Sequence, residues 1–165
     1  MFKTKNDLPE ATRSKVVELL NARLADCIDL QTQTKQAHWN VKGPNFIALH
    51  ELFDKINEEV EDYVDDIAER AVQLGGVAEG TARTAAKRSS LAEYPAKAVD
   101  GRSHVEALSS ALAAFGAAAR KGIEQANELA RCPFTSAGSF TRRKASSPRA
   151  QSWLMRWTSS RRRLA

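Results

Sequence analysis

HWNVKGPNFIALHELFDKINEEVEDYVDDIAE, residues 38–69, is the stretch that decides the fold. Its apolar residues recur in steps of three and four from Leu49 onwards, and the same rhythm continues to Leu74. Such spacing is typical of one long amphipathic helix with a single buried stripe. A Gly-Pro pair stands at its start and two glycines follow its end, as expected at helix boundaries. The pattern predicts one helix over about 44–74.

The remaining surface of this helix is acidic. Between Lys55 and Arg70 there is no basic residue but seven carboxylates: Glu58, Glu59, Glu61, Asp62, Asp65, Asp66 and Glu69. Like charges four residues apart destabilise an isolated helix by about 0.2–0.5 kcal/mol per pair. A solvated acidic face is the ordinary interpretation of such a charge run. The alternative is a face that binds a cation, and the repulsion between its carboxylates favours this alternative.

Geometry restricts how a cation could be held. The candidate ligands lie about 100° to 200° around the helix from Leu49, facing away from the core of their own subunit: His50, Asp54, Asp65 and Glu69. Carboxylates with imidazole suit Fe(II), Mn(II) or Zn(II). Asp54 and Asp65 are about 16 Å apart along the axis, too far for one ion. Two antiparallel copies about a two-fold axis would bring the two halves of the site together.

The spacing of these residues resembles a known family. H-W-N-V-x-G, a second His twelve residues after the first, an Asp four residues later, and D-x-x-x-E-R at the helix end are similar to the Dps proteins, the bacterial mini-ferritins. The positions that match this pattern are His38, Trp39, Asn40, Val41, Gly43, Phe46, His50, Asp54, Asp65, Ala68, Glu69 and Arg70. The resemblance covers residues 1–130.

The resemblance implies an iron-oxidising centre built from two subunits. One subunit would supply His38, His50 and Asp54, and its neighbour would supply Asp65 and Glu69. All five would be both metal ligands and catalytic residues, with Trp39 beside them. The family further implies a hollow dodecamer that oxidises Fe(II), preferentially with hydrogen peroxide, stores the ferric product and protects DNA from oxidative damage.

Three long helices are predicted, over about 7–37, 44–74 and 103–130. An Asp7-x-x-Glu10 arrangement should cap the first, and a Ser103-x-x-Glu106 capping box should begin the third. The connection over 75–100 is too long for a turn, and a short helix is predicted in it near Leu91–Tyr94. This long crossover between helices two and three predicts an all-α, ferritin-like four-helix bundle.

Three further side chains carry expectations. His38 should end the first helix and approach His50 across the antiparallel turn. Cys27 should be a small core residue, and the wide separation of the two cysteines argues against a disulfide framework. His104 lies in the first turn of the predicted third helix, with no His, Asp or Glu three or four residues after it, so we expect it at the surface.

Charge divides the chain into two parts. Residues 1–130 hold sixteen Lys or Arg and twenty Asp or Glu, a net charge of −4, whereas residues 131–165 hold nine basic residues and no acidic one, a net charge of +9. The second part shows no helical stripe, so a regular fourth helix is doubtful. Three interpretations stand: a disordered extension that binds DNA phosphates, a short helix over Gln151–Trp157, or an out-of-frame ending, which the Arg, Ser and Pro content favours.

Two functions of different classes follow. The first is a ferroxidase that stores iron as a cytoplasmic homododecamer. The second is a non-enzymatic, nucleoid-associated protein that binds DNA without sequence preference through its basic termini, with Lys3 and Lys5 as candidate contacts at the amino terminus. No hydrophobic stretch reaches membrane-spanning length, and no signal peptide is recognised, so cytoplasm is the expected location.

Overall fold

The computed structural model describes residues 1–131, and its helices are α1 (Glu10–Asn40), α2 (Phe46–Gln73), α3 (Ala82–Arg88) and α4 (Gly101–Arg131). Helices α1, α2 and α4 are long, and α3 lies within the crossover between α2 and α4. The all-α prediction with a long crossover between the second and third long helices is confirmed. The predictions for a fourth bundle helix and for residues 132–165 concern residues outside the described part of the chain.

Helix α1 is the centre of the core, because both α2 and α4 pack against it. Three apolar clusters follow one another along its length. The cluster near its start joins Val17 to Ala71 of α2 and to Leu74, which directly follows α2. The middle cluster contains Cys27, Leu30, Val60 and Ala111, and the third contains Ala37, Val41, Phe53 and Leu108. Both α2 and α4 therefore run antiparallel to α1. No helix in residues 1–131 has the combination of length and low charge needed to cross a membrane.

Cys27 belongs to this core, as predicted. Its side chain is fully buried, and its Sγ donates to the Val60 carbonyl at 3.7 Å. Burial, together with the neighbouring Asp26 carboxylate, raises the pKa of the thiol to about 12. The thiol is therefore a neutral packing group at physiological pH.

A second face of α1 binds the crossover through polar side chains. The Asp26 carboxylate, which is fully buried, accepts hydrogen bonds from the Ser90 N–H at 2.7 Å and the Ser90 hydroxyl at 3.0 Å. Two turns further on, Gln33 Nε2 donates to the Ala92 carbonyl at 3.0 Å. Earlier in α1, the Asn21 amide donates to the Val77 carbonyl and accepts from the Glu79 N–H, both at 3.0 Å. The crossover is thus held along α1 by its own backbone groups.

A buried arginine holds the far end of α2. Arg13 Nη1 donates to the Leu74 carbonyl at 2.8 Å, and its Nε donates to the Leu8 carbonyl at 3.1 Å. A cation is stabilised there because the carbonyl end of a helix carries partial negative charge. Gly75 follows with φ +83°, and the Phe2 N–H donates to its carbonyl at 2.6 Å. A Cβ at Gly75 would lie 2.5 Å from the Phe2 oxygen, so glycine is required.

The predicted helix starts are wrong by a few residues. Helix α1 begins at Glu10 with no side-chain cap, so Asp7 does not cap it. Pro9 is itself the N-cap, with an extended ψ of 143°, so the helix starts at the next residue. Helix α4 begins at Gly101 rather than Ser103. Asp100 is its cap, with Oδ1 accepting from the Ser103 N–H at 3.0 Å and Oδ2 accepting from the Ser103 hydroxyl at 2.6 Å.

Two predictions about the crossover and its neighbourhood are also wrong. The short helix is α3, not Leu91–Tyr94; the Thr81 hydroxyl caps it by accepting from the Thr84 N–H at 3.4 Å. Residues 91–94 are non-helical, since α1 binds the backbone around them. His104 is fully buried rather than at the surface, because its ring enters the apolar cluster around Phe53.

We expect Asp26→Ala to lower the free energy of unfolding by about 1–3 kcal/mol, because Ser90 would keep a partly buried N–H and hydroxyl without an acceptor. Chemical denaturation followed by circular dichroism measures the change. Asp26→Asn, which keeps one acceptor oxygen, should lose less.

The matched control is Glu61→Ala, which removes an exposed carboxylate from α2. It should change stability by no more than about 0.5 kcal/mol, as surface substitutions usually do. Equal losses in Asp26→Ala and Glu61→Ala would show that the crossover does not depend on Asp26.

Candidate metal centre

Two histidines meet where α1 ends and α2 begins. The His38 and His50 rings are stacked with centroids 3.7 Å apart and an interplanar angle of 23°. Each ring nitrogen Nδ1 contacts the other residue's backbone carbonyl at 2.9 Å. The antiparallel α1–α2 pair therefore brings His38 to His50, as predicted, through two reciprocal hydrogen bonds.

These hydrogen bonds fix the tautomer of both rings. A carbonyl oxygen can only accept, so Nδ1 must carry the proton and donate it. In a neutral imidazole the other nitrogen, Nε2, then holds the lone pair. A donor contact of this kind is the usual way in which a metal-binding histidine is oriented. Both rings thus offer Nε2 as a ligand atom.

Asp54 lies one turn beyond His50 on α2. Its Oδ1 is bonded to the Lys35 ammonium and lies 3.9 Å from His38 Nδ1. The hydrogen bond donated by Lys35 is the main reason that the pKa of the Asp54 carboxyl is below its usual value. Because the pKa is lowered, the carboxylate stays ionised at physiological pH and is able to bind a cation.

Asp65 and Glu69 do not join this group within one chain. Both are exposed on α2, eleven and fifteen residues after Asp54. At about 1.5 Å per residue, Asp65 is about 16 Å from Asp54 along the axis. Among residues 1–131 no three His, Cys, Asp or Glu side chains are placed to hold one metal ion. A single described chain thus presents two halves of the predicted site at opposite ends of one helix.

Apolar side chains are exposed beside both halves. Trp39 and Ile47, which neighbour the histidines, are 68% and 63% exposed. At the other end Val72 is 56% exposed and lines a cavity of about 370 Å³ together with Ala68, Glu69, Gln73 and Ala78. Exposed apolar side chains of this kind mark a contact surface where they adjoin in one patch.

Sequence reasoning missed two residues at the centre. Lys35 precedes His38 by three positions and therefore shares its helix face, a spacing that could have identified it as a partner of the acidic site. Phe46, known only as a motif position, packs against His50 with ring centroids 5.0 Å apart. No spacing rule predicts this aromatic contact, because it depends on how α2 starts.

Comparison with known proteins identifies the family of this fold. A model of the ferritin-like domain matches residues 17–131. The DNA protection during starvation protein of Agrobacterium fabrum is 44% identical over 126 residues, which cover 76% of this chain and 78% of that protein.

Solved structures give the same result. The Mycobacterium smegmatis Dps structure in its tetragonal form matches with a TM-score of 0.73 and 33% identity, covering 78% of each chain. The Dps protein of Vibrio cholerae O1, described as a member of a broad superfamily of ferritin-like diiron-carboxylate proteins, matches with a TM-score of 0.72 and 25% identity over 78% of this chain and 80% of its own. On the sequence match, the helix order and these structures together, the chain belongs to the Dps family of ferritin-like proteins.

Proposed function

We propose that this protein oxidises Fe(II) at sites shared between two subunits and stores the ferric product inside an assembled shell. The observation that carries the proposal is the division of one helix face into two complementary halves. His38, His50 and Asp54 lie at one end of α2, and the exposed Asp65 and Glu69 lie at the other. Membership of the ferritin-like Dps family supports iron as the metal.

Antiparallel pairing of two α2 helices completes the site. A two-fold axis near the middle of α2 would place Asp65 and Glu69 of one subunit beside His38, His50 and Asp54 of its partner, and would do so twice per dimer. The exposed Trp39 and Ile47 would then cover the cavity around Val72 on the other copy. Burial of these apolar side chains would stabilise the contact by about 25 cal/mol for each Å² removed from water.

The ligand set suits the chemistry of iron oxidation. Two imidazole nitrogens and three carboxylates bind Fe(II), and the carboxylates stabilise the additional charge of Fe(III). Hydrogen peroxide takes one electron from each of two Fe(II) ions and two protons from solvent, its O–O bond breaks, and two water molecules form. Because both electrons arrive together, no hydroxyl radical is released. The further acidic residues of α2 supply sites where ferric iron collects.

The complete assembly belongs to the same proposal. A dodecamer with its metal sites on two-fold axes, located in the cytoplasm, is the form expected from the family. Relatives carry the name DNA protection during starvation protein. Removal of Fe(II) and peroxide by this reaction protects nearby DNA without requiring contact with it.

Direct DNA binding is the second candidate function, and the charge distribution favours it. Lys3 and Lys5 are exposed, although the Phe2 N–H bond to Gly75 ties the beginning of this arm to the end of α2. Residues 131–165 contribute nine basic side chains and no acidic one. Twelve copies of these termini on one particle would bind phosphates together, so that weak single contacts add up.

We expect His50→Ala combined with Asp54→Ala to slow peroxide-dependent Fe(II) oxidation greatly, because one half of every site would lose a nitrogen and a carboxylate ligand. The near-ultraviolet absorbance of ferric iron measures the rate, and circular dichroism checks that the helices persist. The control is Glu51→Ala with Lys55→Ala, which alters exposed neighbours on α2. Wild-type rates in the first variant would contradict the site.

A complementation experiment tests whether two chains share each site. The second inactive variant is Asp65→Ala with Glu69→Ala, and it is refolded with an equal amount of the first. Random pairing makes half of the dimers mixed, and each mixed dimer holds one intact site, so the mixture should recover about a quarter of the wild-type activity. A mixture as inactive as its components would contradict a shared site.

DNA binding is tested by a mobility shift at increasing salt. Binding through phosphates should weaken steeply between low and moderate salt because counterions are released, and it should be lost when residues 131–165 are removed. Replacing both Lys3 and Lys5 by Gln should reduce the salt dependence by a smaller amount. Binding that is insensitive to salt, or unchanged by both alterations, would refute this second function.

A further inference from the structure

A half-buried tyrosine and a fully buried histidine outside the ligand set form a hydrogen-bonded pair. The Tyr94 hydroxyl, at the end of the crossover, is hydrogen-bonded to His104 Nδ1 in the second turn of α4. Their rings are nearly parallel, with centroids 6.1 Å apart and an interplanar angle of 19°. His104 is fully buried, and burial raises the pKa of the Tyr94 phenol. The phenol is therefore neutral and carries a proton that it can share with the ring.

A histidine at position 104 would destabilise the fold if its role were only structural. Its Nε2 is buried and has no hydrogen-bond partner among residues 1–131. A buried polar group without a partner costs about 1–3 kcal/mol, which an apolar side chain in the same cluster would avoid. Groups of this kind call for a chemical explanation.

The pair has the geometry of a one-electron donor. A phenol gives up an electron readily only when its proton leaves at the same time, because the protonated radical is a strong acid. A base within hydrogen-bond distance of the hydroxyl accepts that proton. His104 Nδ1 holds this position at Tyr94.

The pair is also close to the proposed iron ligands. The Phe53 ring lies edge-on to the His104 ring, with centroids 6.4 Å apart. Phe53 directly precedes Asp54 in α2, and both its ring and Tyr94 belong to the same apolar cluster. One aromatic side chain therefore separates the Tyr94–His104 pair from the turn of α2 that carries a proposed ligand.

We propose that Tyr94 supplies the second electron for peroxide reduction when only one Fe(II) is bound at a site, with His104 as its proton acceptor. This inference rests on the proposed ferroxidase function. Fe(II) and Tyr94 each give one electron to hydrogen peroxide, which takes two protons from solvent; its O–O bond breaks and two water molecules form. The phenolic proton moves to His104 Nδ1, leaving Fe(III) and a neutral tyrosyl radical. Without this electron, a single Fe(II) would convert peroxide into a hydroxyl radical.

The radical can be reduced again from solvent. Tyr94 lines an open cavity of about 450 Å³ whose wall also includes Gln33, Glu93, Ser103 and Glu106. A small soluble reductant in this cavity reaches the tyrosine without approaching the iron. It would return one electron to the ring while the proton returns from His104, so the donor is restored.

The test is freeze-quench electron paramagnetic resonance on the full chain, loaded anaerobically with one Fe(II) per site and then mixed with excess hydrogen peroxide. The wild type should give a tyrosyl signal, and Tyr94→Phe should lose it. The chain has two tyrosines, so Tyr63→Phe is the matched control and should keep the signal.

Variants of His104 test the proton acceptor separately from packing. His104→Asn keeps a hydrogen-bond acceptor near the Nδ1 position but has no basic nitrogen, and His104→Leu keeps the apolar volume without any acceptor, so both should lose most of the signal. Thermal unfolding of both variants shows whether either one fails to fold. A wild-type signal in either folded variant would overturn the role of His104 as the proton acceptor.

Ferric absorbance recorded in the same samples separates the two levels of inference. Normal Fe(II) oxidation with the radical on Tyr63 or Trp39, or with no radical, would overturn the assignment to Tyr94 and leave the ferroxidase function intact. Absence of oxidation in the wild type would overturn the proposed function, and this inference with it. With two Fe(II) per site, Tyr94→Phe should oxidise iron at the wild-type rate.

Discussion

The rise of the α-helix is the constraint on which the rest of this structure depends. Asp54 and Asp65 share a face of α2, yet about 16 Å of rigid backbone separates them. No rotamer closes that gap, so a chain that uses both residues on one ion must meet a second copy. The outward direction of this face, its exposed Asp65 and Glu69 and the exposed Trp39 and Ile47 all agree with such a contact.

Contacts from α1, the crossover and α4 keep the histidine end of α2 in place. The His38 and His50 rings each donate a hydrogen bond to the other residue's backbone carbonyl. The register between α1 and α2 therefore also sets the relative position of the two Nε2 atoms. The Lys42 N–H donates to the Val99 carbonyl at 3.1 Å, which ties the α1–α2 turn to the end of the crossover. Gly101 at the start of α4 then packs directly against Leu49, beside His50. Three elements thus fix one turn of α2.

Period and spacing were sufficient to predict α2, its buried stripe and the meeting of His38 with His50, because these depend on contacts within one helical hairpin. The residues that the sequence misplaced depend on distant partners. In the sequence, His104 resembles a surface residue because its partner Tyr94 lies in an irregular segment. The polar residues of α1 resemble a solvated face because the groups that cover them are backbone atoms of the crossover. The capping predictions at Asp7 and Ser103 were wrong for local reasons: Pro9 is the N-cap of α1, and Asp100 caps α4.

The hydrogen bonds between α1 and the crossover have a consequence for the order of folding. Asp26 and Ser90 are 64 positions apart, and Gln33 and Ala92 are 59 apart. Contacts over such separations form late, whereas the α1–α2 hairpin needs only a short turn. During synthesis the hairpin can therefore form while the polar stripe of α1 is still bare, and the ribosome must add the whole crossover before that stripe is covered.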